Sequence, residues 1–290
     1  MNYLREHWQR YVFFGLVLAA VFIWASVFAL EAKDGRLTLF VFDVGQGDAL
    51  FIDAGNGNQV LIDGGPDDAV LAKIGGVMPF WDRTIELVVL THPHADHLDG
   101  LIPVLERYDI GMVVESGVNH SIPEYDTWHE LVRERGVPLH IAKAGERIRV
   151  SPDAVFEVLA PLHDFVGTSL AVHDAMVVLR LTDRNARALL TGDAEDDVER
   201  EMLGSGAAVR ADLLKVGHHG SKTSTTDALL GAVHPAVAVI SVGAKNRYGH
   251  PYQLVLDRLS RAGVRVLRTD RDGDIVFVSN GTAFVPVHDK

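Results

Sequence analysis

Four potential metal ligands crowd into six residues of this chain: His92, His94, Asp96 and His97, in the stretch Thr91-His92-Pro93-His94-Ala95-Asp96-His97-Leu98-Asp99-Gly100. The stretch follows the apolar run Ile85 to Leu90, so a buried strand hands over there to a helix. The order His-x-His-x-Asp-His lets His92 and His94 converge on one cation while Asp96 and His97 turn toward a second. Imidazole and carboxylate, in a chain without Cys, are ligands for zinc, manganese or iron. A His-rich surface turn is the bland alternative, but it requires no particular order and no further ligands downstream.

Further ligands do follow, each at the end of an apolar segment. Ala188 to Leu190 runs into Thr191-Gly192-Asp193, and Leu213 to Val216 runs into Gly217-His218-His219-Gly220. A carboxylate such as Asp193 can bridge two cations and hold them close enough to share one water. Metal-assisted hydrolysis at neutral pH needs that arrangement, because the metals lower the water's pKa and offset charge on the reacting centre.

This series of blocks resembles the metallo-β-lactamase fold hydrolases and, within them, the metal-binding domains of ComEC-type DNA-uptake competence proteins. The blocks are Phe42-Asp43-Val44-Gly45-Gln46-Gly47-Asp48-Ala49, Leu61-Ile62-Asp63-Gly64-Gly65, the His-rich motif, Leu190-Thr191-Gly192-Asp193, His218-His219-Gly220-Ser221-Lys222, and Ser241-Val242-Gly243 with Asn246, Tyr248, His250 and Pro251. They extend through about residues 37–290. The resemblance implies that His92 and His94 hold a first metal and Asp96 and His97 a second, with Asp193 bridging and His218 or His219 completing the second site. It places a third imidazole for the first metal one β-hairpin upstream of Asp193, where His173 stands. Family members often carry Asn near that position and Ser where this chain has Met176. His173 is therefore a departure, either a fuller first site or a polar neighbour. Two divalent ions, zinc or manganese, are the implied cofactors.

Length and composition frame the site. Past an N-terminal segment, roughly 250 residues suit one domain with a sizeable core. Apolar residues make up 48% of the chain, which excludes disorder. The net charge of −12 and the lack of a long Lys/Arg cluster oppose a protein that holds DNA by a broad basic face. Metal ligands supply part of that negative charge. The absence of Cys excludes disulfides and Cys-ligated zinc.

Tyr11 to Leu30 is a stretch of twenty residues without charge, long enough to cross a hydrocarbon core of about 30 Å. Arg5 and Arg10 precede it, which puts the N-terminus in the cytoplasm and the domain outside. A cleaved signal peptide is the rival. The run is longer than the usual apolar region of such peptides, contains Trp24, and Phe28 to Ala32 has no clean A-x-A site. The expectation is a single-pass cell-membrane protein with residues 1–36 as cytoplasmic N-terminus and anchor (11–30) and residues 37–290 as an extracytoplasmic hydrolase domain.

Strands are expected at Leu37 to Asp43, Ala49 to Asp53, Gln59 to Asp63 and Ile85 to Thr91, then near Val155 to Leu159, Met176 to Leu181, Ala188 to Leu190, Leu213 to Val216, Val237 to Val242 and Val264 to Arg268. Helices are expected at Leu98 to Arg107, Tyr125 to Arg135, Glu195 to Leu203, Thr225 to Gly231 and Gln253 to Arg261. Mixed elements in two halves, with ligands at strand ends, give an α+β fold: a four-layer αββα sandwich.

Asp63 reads as a carboxylate that orients a ligand histidine. Asp43, Gln46 and Asp48 lie in a Gly-rich turn that Asx hydrogen bonding alone could explain; the resemblance adds a substrate contact for Gln46. Ser224, three residues before Asp227, reads as a helix cap. Lys222, beside that helix start and the metal ligands, makes an anion pocket together with Ser221. His250, in a turn before Pro251, reads as a substrate or leaving-group contact, with Asn246 beside it. His7, His120, His129, His140, His163, His234 and His288 lack such a context.

The leading expectation is a membrane-anchored binuclear hydrolase of phosphodiesters, DNA among them. Asp96, Asp193, Lys222 and His250 are its expected catalytic residues. Other esters, such as a cell-envelope phosphodiester or a lactone, and a non-catalytic accessory module that binds nucleic acid or a channel protein are the alternatives. With no channel-forming multi-helix region in the sequence, DNA transport would need a membrane channel partner.

Overall fold

The computed structural model describes residues 2–31, 35–168 and 172–287. Ala32, which entered the cleavage-site argument, and His288 lie outside them. The chain divides into two compact units, Met1–Arg36 and Leu37–Lys290.

In the first unit, Asn2–Glu31 is one helix. Its segment His7–Trp24 is long and apolar enough to cross a membrane. Phe13, Leu16, Leu18 and Phe22 are each more than 60% exposed, as befits a helix with no core of its own to bury them.

The second unit holds two large sheets. The first runs, edge to edge, Phe284–Val287, Ile275–Ser279, Thr38–Val41, Leu50–Asp53, Gln59–Ile62, Leu87–Val89, Val113–Glu115 and Leu139–Ile141. Its pairs are antiparallel as far as Gln59–Ile62 and parallel beyond it. The second runs Arg265–Arg268, Val237–Ile240, Leu213–Lys215, Ala186–Leu190, Val178–Asp183, Ala154–Ala160 and Arg147–Arg149, parallel in its first four strands and antiparallel in the rest.

Three buried clusters fill the gaps between four layers. Ile52, Ile62, Val89, Phe156, Leu179 and Leu190 meet between the sheets. On the outer face of the first sheet, Phe51, Leu61 and Val88 pack with Ile74, Leu105 and Trp128 of the helices Ala69–Val77, Leu101–Arg107 and Pro123–Glu134. Leu189 and Leu214 do the same on the second, against Val198, Leu229 and Leu259 of Asp196–Gly204, Asp227–Val233 and Gln253–Arg261. Alternate residues of one strand thus enter different cores. Both faces are covered, which is why these strands read as continuous apolar runs. The expected αββα sandwich is the observed fold.

Several elements differ in detail. The expected helix Leu98 to Arg107 is two, Ala95–Leu98 and Leu101–Arg107. The break is at Gly100, where a Cβ would meet the Gly64 carbonyl oxygen at 1.9 Å. The cap of Asp227–Val233 is Thr226, whose hydroxyl accepts from the Leu229 N–H, and not Ser224. The buried Ser224 hydroxyl instead donates to the Gly217 carbonyl at 2.6 Å, fastening the turn that carries the His pair. The helix Ala69–Val77, the strands Val113–Glu115, Leu139–Ile141 and Arg147–Arg149, and the C-terminal hairpin are additional to the sequence reading.

Candidate metal centre

Parallel strands deliver their C-terminal ends to one side of a sheet, where ligands gather. Asp63 follows Gln59–Ile62, the His-rich motif follows Leu87–Val89, Asp193 follows Ala186–Leu190, and His218 and His219 follow Leu213–Lys215. All converge on Asp193. One of its carboxylate oxygens, Oδ2, lies 3.3 Å from His97 Nε2, 3.5 Å from His219 Nε2, 3.8 Å from His218 Nε2 and 4.0 Å from His92 Nε2. His219 Nε2 is also 3.3 Å from Asp96 Oδ2. Asp96, His97, Asp193 and His219 thus offer four ligand atoms to one point.

Each of these imidazoles is aimed by a hydrogen bond on its far nitrogen. Asp63 Oδ2 lies 2.8 Å from His97 Nδ1, while Thr91 donates its N–H and hydroxyl to the same carboxylate at 2.8 and 2.7 Å. His219 Nδ1 donates to the Ser241 carbonyl at 3.0 Å. His218 Nδ1 is 2.9 Å from Glu195 Oε1. Both His218 and His219 have left-handed φ, 46° and 54°, a conformation that costs non-glycine residues energy and is retained where a site needs it.

On the other side of Asp193, His92 Nε2 and His94 Nδ1 are 2.9 Å apart. His173, in the turn before Val178–Asp183, brings its ring within 4.7 Å of His94, 5.7 Å of His218 and 6.2 Å of His92. His120, read from the sequence as lacking context, lies 5.4 Å from His94. Met176 is buried beneath Asp193, whose N–H points at its sulfur.

Behind Asp96 and His219 is an ion pair that sequence reasoning missed. Lys215 Nζ lies 2.8 Å from Asp48 Oδ2, with both side chains 1% exposed. The other Asp48 oxygen is 3.5 Å from His219 Nδ1, and the Asp48 N–H donates to the Asp96 carbonyl at 3.2 Å. A Cβ on Gly47 would meet that same carbonyl oxygen at 2.2 Å. The Gly-rich turn is therefore a support for the His-rich motif, although Asp43 does make the Asx contact, to Gly45 N–H. The signal for Lys215 was its place in a fully apolar strand.

The remaining expected contacts sit at the rim. Gln46 Oε1 accepts from Gly243 N–H at 3.3 Å, and Ser221 Oγ is 2.9 Å from Thr223 Oγ1. Asn246 uses its amide within its own loop, donating to the Gly243 and His250 carbonyls at 2.8 and 2.9 Å and accepting from His250 N–H at 3.0 Å. It holds His250 in place. Lys222 is exposed. Elsewhere, His129 binds Glu115, His140 binds Glu146, His163 binds Glu201, and His234 ends a helix with φ 54°.

The electrostatics suit bound cations. Burial, reinforced by the neighbouring His97, drives the His92 pKa far down; burial and His173 bring His94 to about 4. Burial opposes ionisation of Asp193, but His219 and His97 outweigh it and hold its pKa far down. Asp96 falls to about 2 in the same way, against burial and through His97 and His219. His97 is raised against its burial by Asp193 and Asp63, and His219 by Asp193 and Asp96. Asp193 Oδ1, His97 Nε2 and His219 Nε2 are buried with no hydrogen-bond partner. An unsatisfied buried polar atom costs about 1–3 kcal/mol, and a divalent cation among these nitrogen and oxygen donors would relieve all three. The donor set fits a metal centre.

This fold and this centre define a class, and the chain belongs to it: residues 42–244 match the Metallo-beta-lactamase superfamily. The fold is shared with CmlA, a diiron β-hydroxylase from Streptomyces venezuelae, at a TM-score of 0.52 and 14% identity over 80% of this chain and 52% of that one. In sequence the chain is similar to ComE operon protein 3 of Bacillus subtilis (strain 168), 30% identical over 91% of this chain and 35% of that protein. It is also similar to Competence protein ComA of Neisseria gonorrhoeae, 28% identical over 90% of this chain and 35% of that protein. The chain spans about a third of the length of these curated relatives. They support a ComEC-like metallo-hydrolase and, with the apolar N-terminal helix, point to membrane association.

Proposed function

We propose that this chain is a membrane-anchored, extracytoplasmic phosphodiesterase that cleaves DNA during uptake, beside a channel-forming partner. The observation that carries the reading is the single Asp193 oxygen ringed within 4.0 Å by nitrogens of His92, His97, His218 and His219, a carboxylate placed to serve two cations at once. Asp96, His97 and His219 with Asp193 would hold one ion; His92, His94 and His173 with Asp193 would hold the other. Two divalent ions so held supply an activated water and offset charge on the phosphoryl group.

The chain's own groups do the rest. Asp63 and the Ser241 carbonyl fix the tautomers of His97 and His219, so that Nε2 of each faces the reaction. His250 is held neutral by burial and by His219 and His218, its pKa lowered to about 4. A neutral imidazole beside the ligands can donate an N–H hydrogen bond to the charge that develops on a leaving oxygen. Lys222 offers a positive charge to a phosphate oxygen without tying up a ligand. Arg5 and Arg10 ahead of the apolar helix support a domain on the outer side.

The full chain in detergent, loaded in turn with zinc and with manganese, is to be offered single-stranded DNA, duplex DNA, bis(p-nitrophenyl) phosphate and a lactone. Metal-dependent turnover of the diesters is expected. Turnover of the lactone alone, or of nothing, contradicts the reading.

A further inference from the structure

The loop after Val237–Ile240 carries a row of rings outward from the metal centre. The His250 ring centroid lies 5.6 Å from that of His218 and 6.3 Å from that of His219. Tyr248 stacks on His250 at 5.8 Å with planes 26° apart, and Tyr252 lies 5.5 Å from it. Each tyrosine has a cation beside its face: the Arg247 guanidinium 5.8 Å from the Tyr248 centroid and Lys222 Nζ 6.0 Å from that of Tyr252. Tyr248 is 53% and Tyr252 37% exposed. The three hydrogen bonds between Asn246 and its own loop hold the row in place before any ligand arrives.

We propose that Tyr248 and Tyr252, with Arg247 and Lys222, form a stacking subsite for an unpaired nucleobase flanking the diester to be cut. The inference rests on the phosphodiesterase reading and adds what the enzyme grips. A row of rings with a cation at each end suits a single strand, whose bases can stack while its phosphates meet the cations. A base inside a duplex is already stacked and has no free face to offer. Because the chain carries a net charge of −12, affinity cannot come from a broad basic surface, and stacking takes its place. A base-free polymer such as polyglycerol phosphate would meet the cations but leave the rings idle.

The test is equilibrium binding by fluorescence anisotropy, using the full chain in detergent with Asp193→Ala so that no strand is cut. The probes are a labelled oligo-dT and an abasic strand of the same length and charge. The parent should bind oligo-dT about tenfold or more tighter than the abasic strand. Tyr248→Ala with Tyr252→Ala should erase that difference, and the two Tyr→Phe variants should keep it. In parallel, 2-aminopurine placed in the dT strand should be quenched on binding the parent and not the double Ala variant. Equal affinity of the parent for both strands, an unchanged preference in the double Ala variant, or competition by polyglycerol phosphate as strong as by oligo-dT at equal phosphate would overturn the proposal. A failed phosphodiesterase reading would show separately, as absent turnover in the unsubstituted chain.

Discussion

The two sides of Asp193 differ in how firmly their imidazoles are held. His97 and His219 are buried, and each is pinned on Nδ1 by a buried partner, Asp63 at 2.8 Å and the Ser241 carbonyl at 3.0 Å. Across the carboxylate, His94 has its hydrogen bond only with its fellow ligand candidate His92, and His173 comes from a turn with its Nδ1 unpartnered. One side has its geometry before a cation arrives. The other is fixed only at His92, buried with its Nδ1 3.2 Å from Thr91 Oγ1. His94 and His173 are left to be ordered by the cation, and the two sides should respond differently to the same kinds of change.

The largest effect is expected at the shared group. Asp193→Ala removes the oxygen common to both sides and should abolish turnover with loss of at least one metal, while the far-UV circular dichroism stays that of the parent. Full metal content by elemental analysis in that variant would break the comparison at its root.

Next is the support beneath the pinned side. Lys215→Met leaves the buried Asp48 without its lysine partner, a change that costs about 3–5 kcal/mol. Adding Asp48→Leu should restore most of that stability, since an apolar pair often replaces a buried ion pair at little cost. Chemical denaturation of the single and double variants checks this. A Lys215→Met variant as stable as the parent would show that the pair holds nothing.

A smaller effect follows from protons. With the pKa of His97 raised well above the ordinary histidine value by Asp193 and Asp63, and that of His219 raised by Asp193 and Asp96, both rings hold a proton more tightly than a free imidazole, and a cation must displace it. Affinity for the first equivalent of metal should therefore rise with pH, reaching its plateau only above both raised values. The release is measurable by calorimetry in buffers of different ionisation enthalpy. Binding without proton release would contradict the assigned charges.

The smallest effect is expected on the looser side. His173→Ala should weaken mainly one metal, with activity falling at limiting metal and recovering in part when zinc or manganese is added in excess; His173→Asn should fall between. Unchanged affinity in both variants would leave that side to His92, His94 and Asp193.

Much of this candidate centre was legible because its candidate ligands are punctuated by sequence. The His-rich motif is contiguous, and Asp193 and the His pair each follow an apolar run with a glycine between. What was hidden depends on the third dimension. Asp48 alone reads as a turn residue and Lys215 as a stray charge; only the packing of two distant strand ends makes them a pair. Ser224 and Thr226 are equivalent caps on paper, and Glu199 decides between them by accepting from Thr226 N–H and hydroxyl at 2.9 and 2.7 Å. Val113–Glu115 and Leu139–Ile141 are too short for an alternating pattern to register. The C-terminal hairpin was within reach, since Asn280-Gly281 between alternating apolar runs is a turn signal.

On the proposed assignment, Asp193 divides a firm cation site from a looser one. Anomalous diffraction at the manganese edge from manganese-loaded crystals tests it most directly. Two peaks should flank Asp193, one among Asp96, His97 and His219 and one among His92, His94 and His173, with the higher occupancy at the first. A single peak, or a fuller peak on the His92 side, would contradict it.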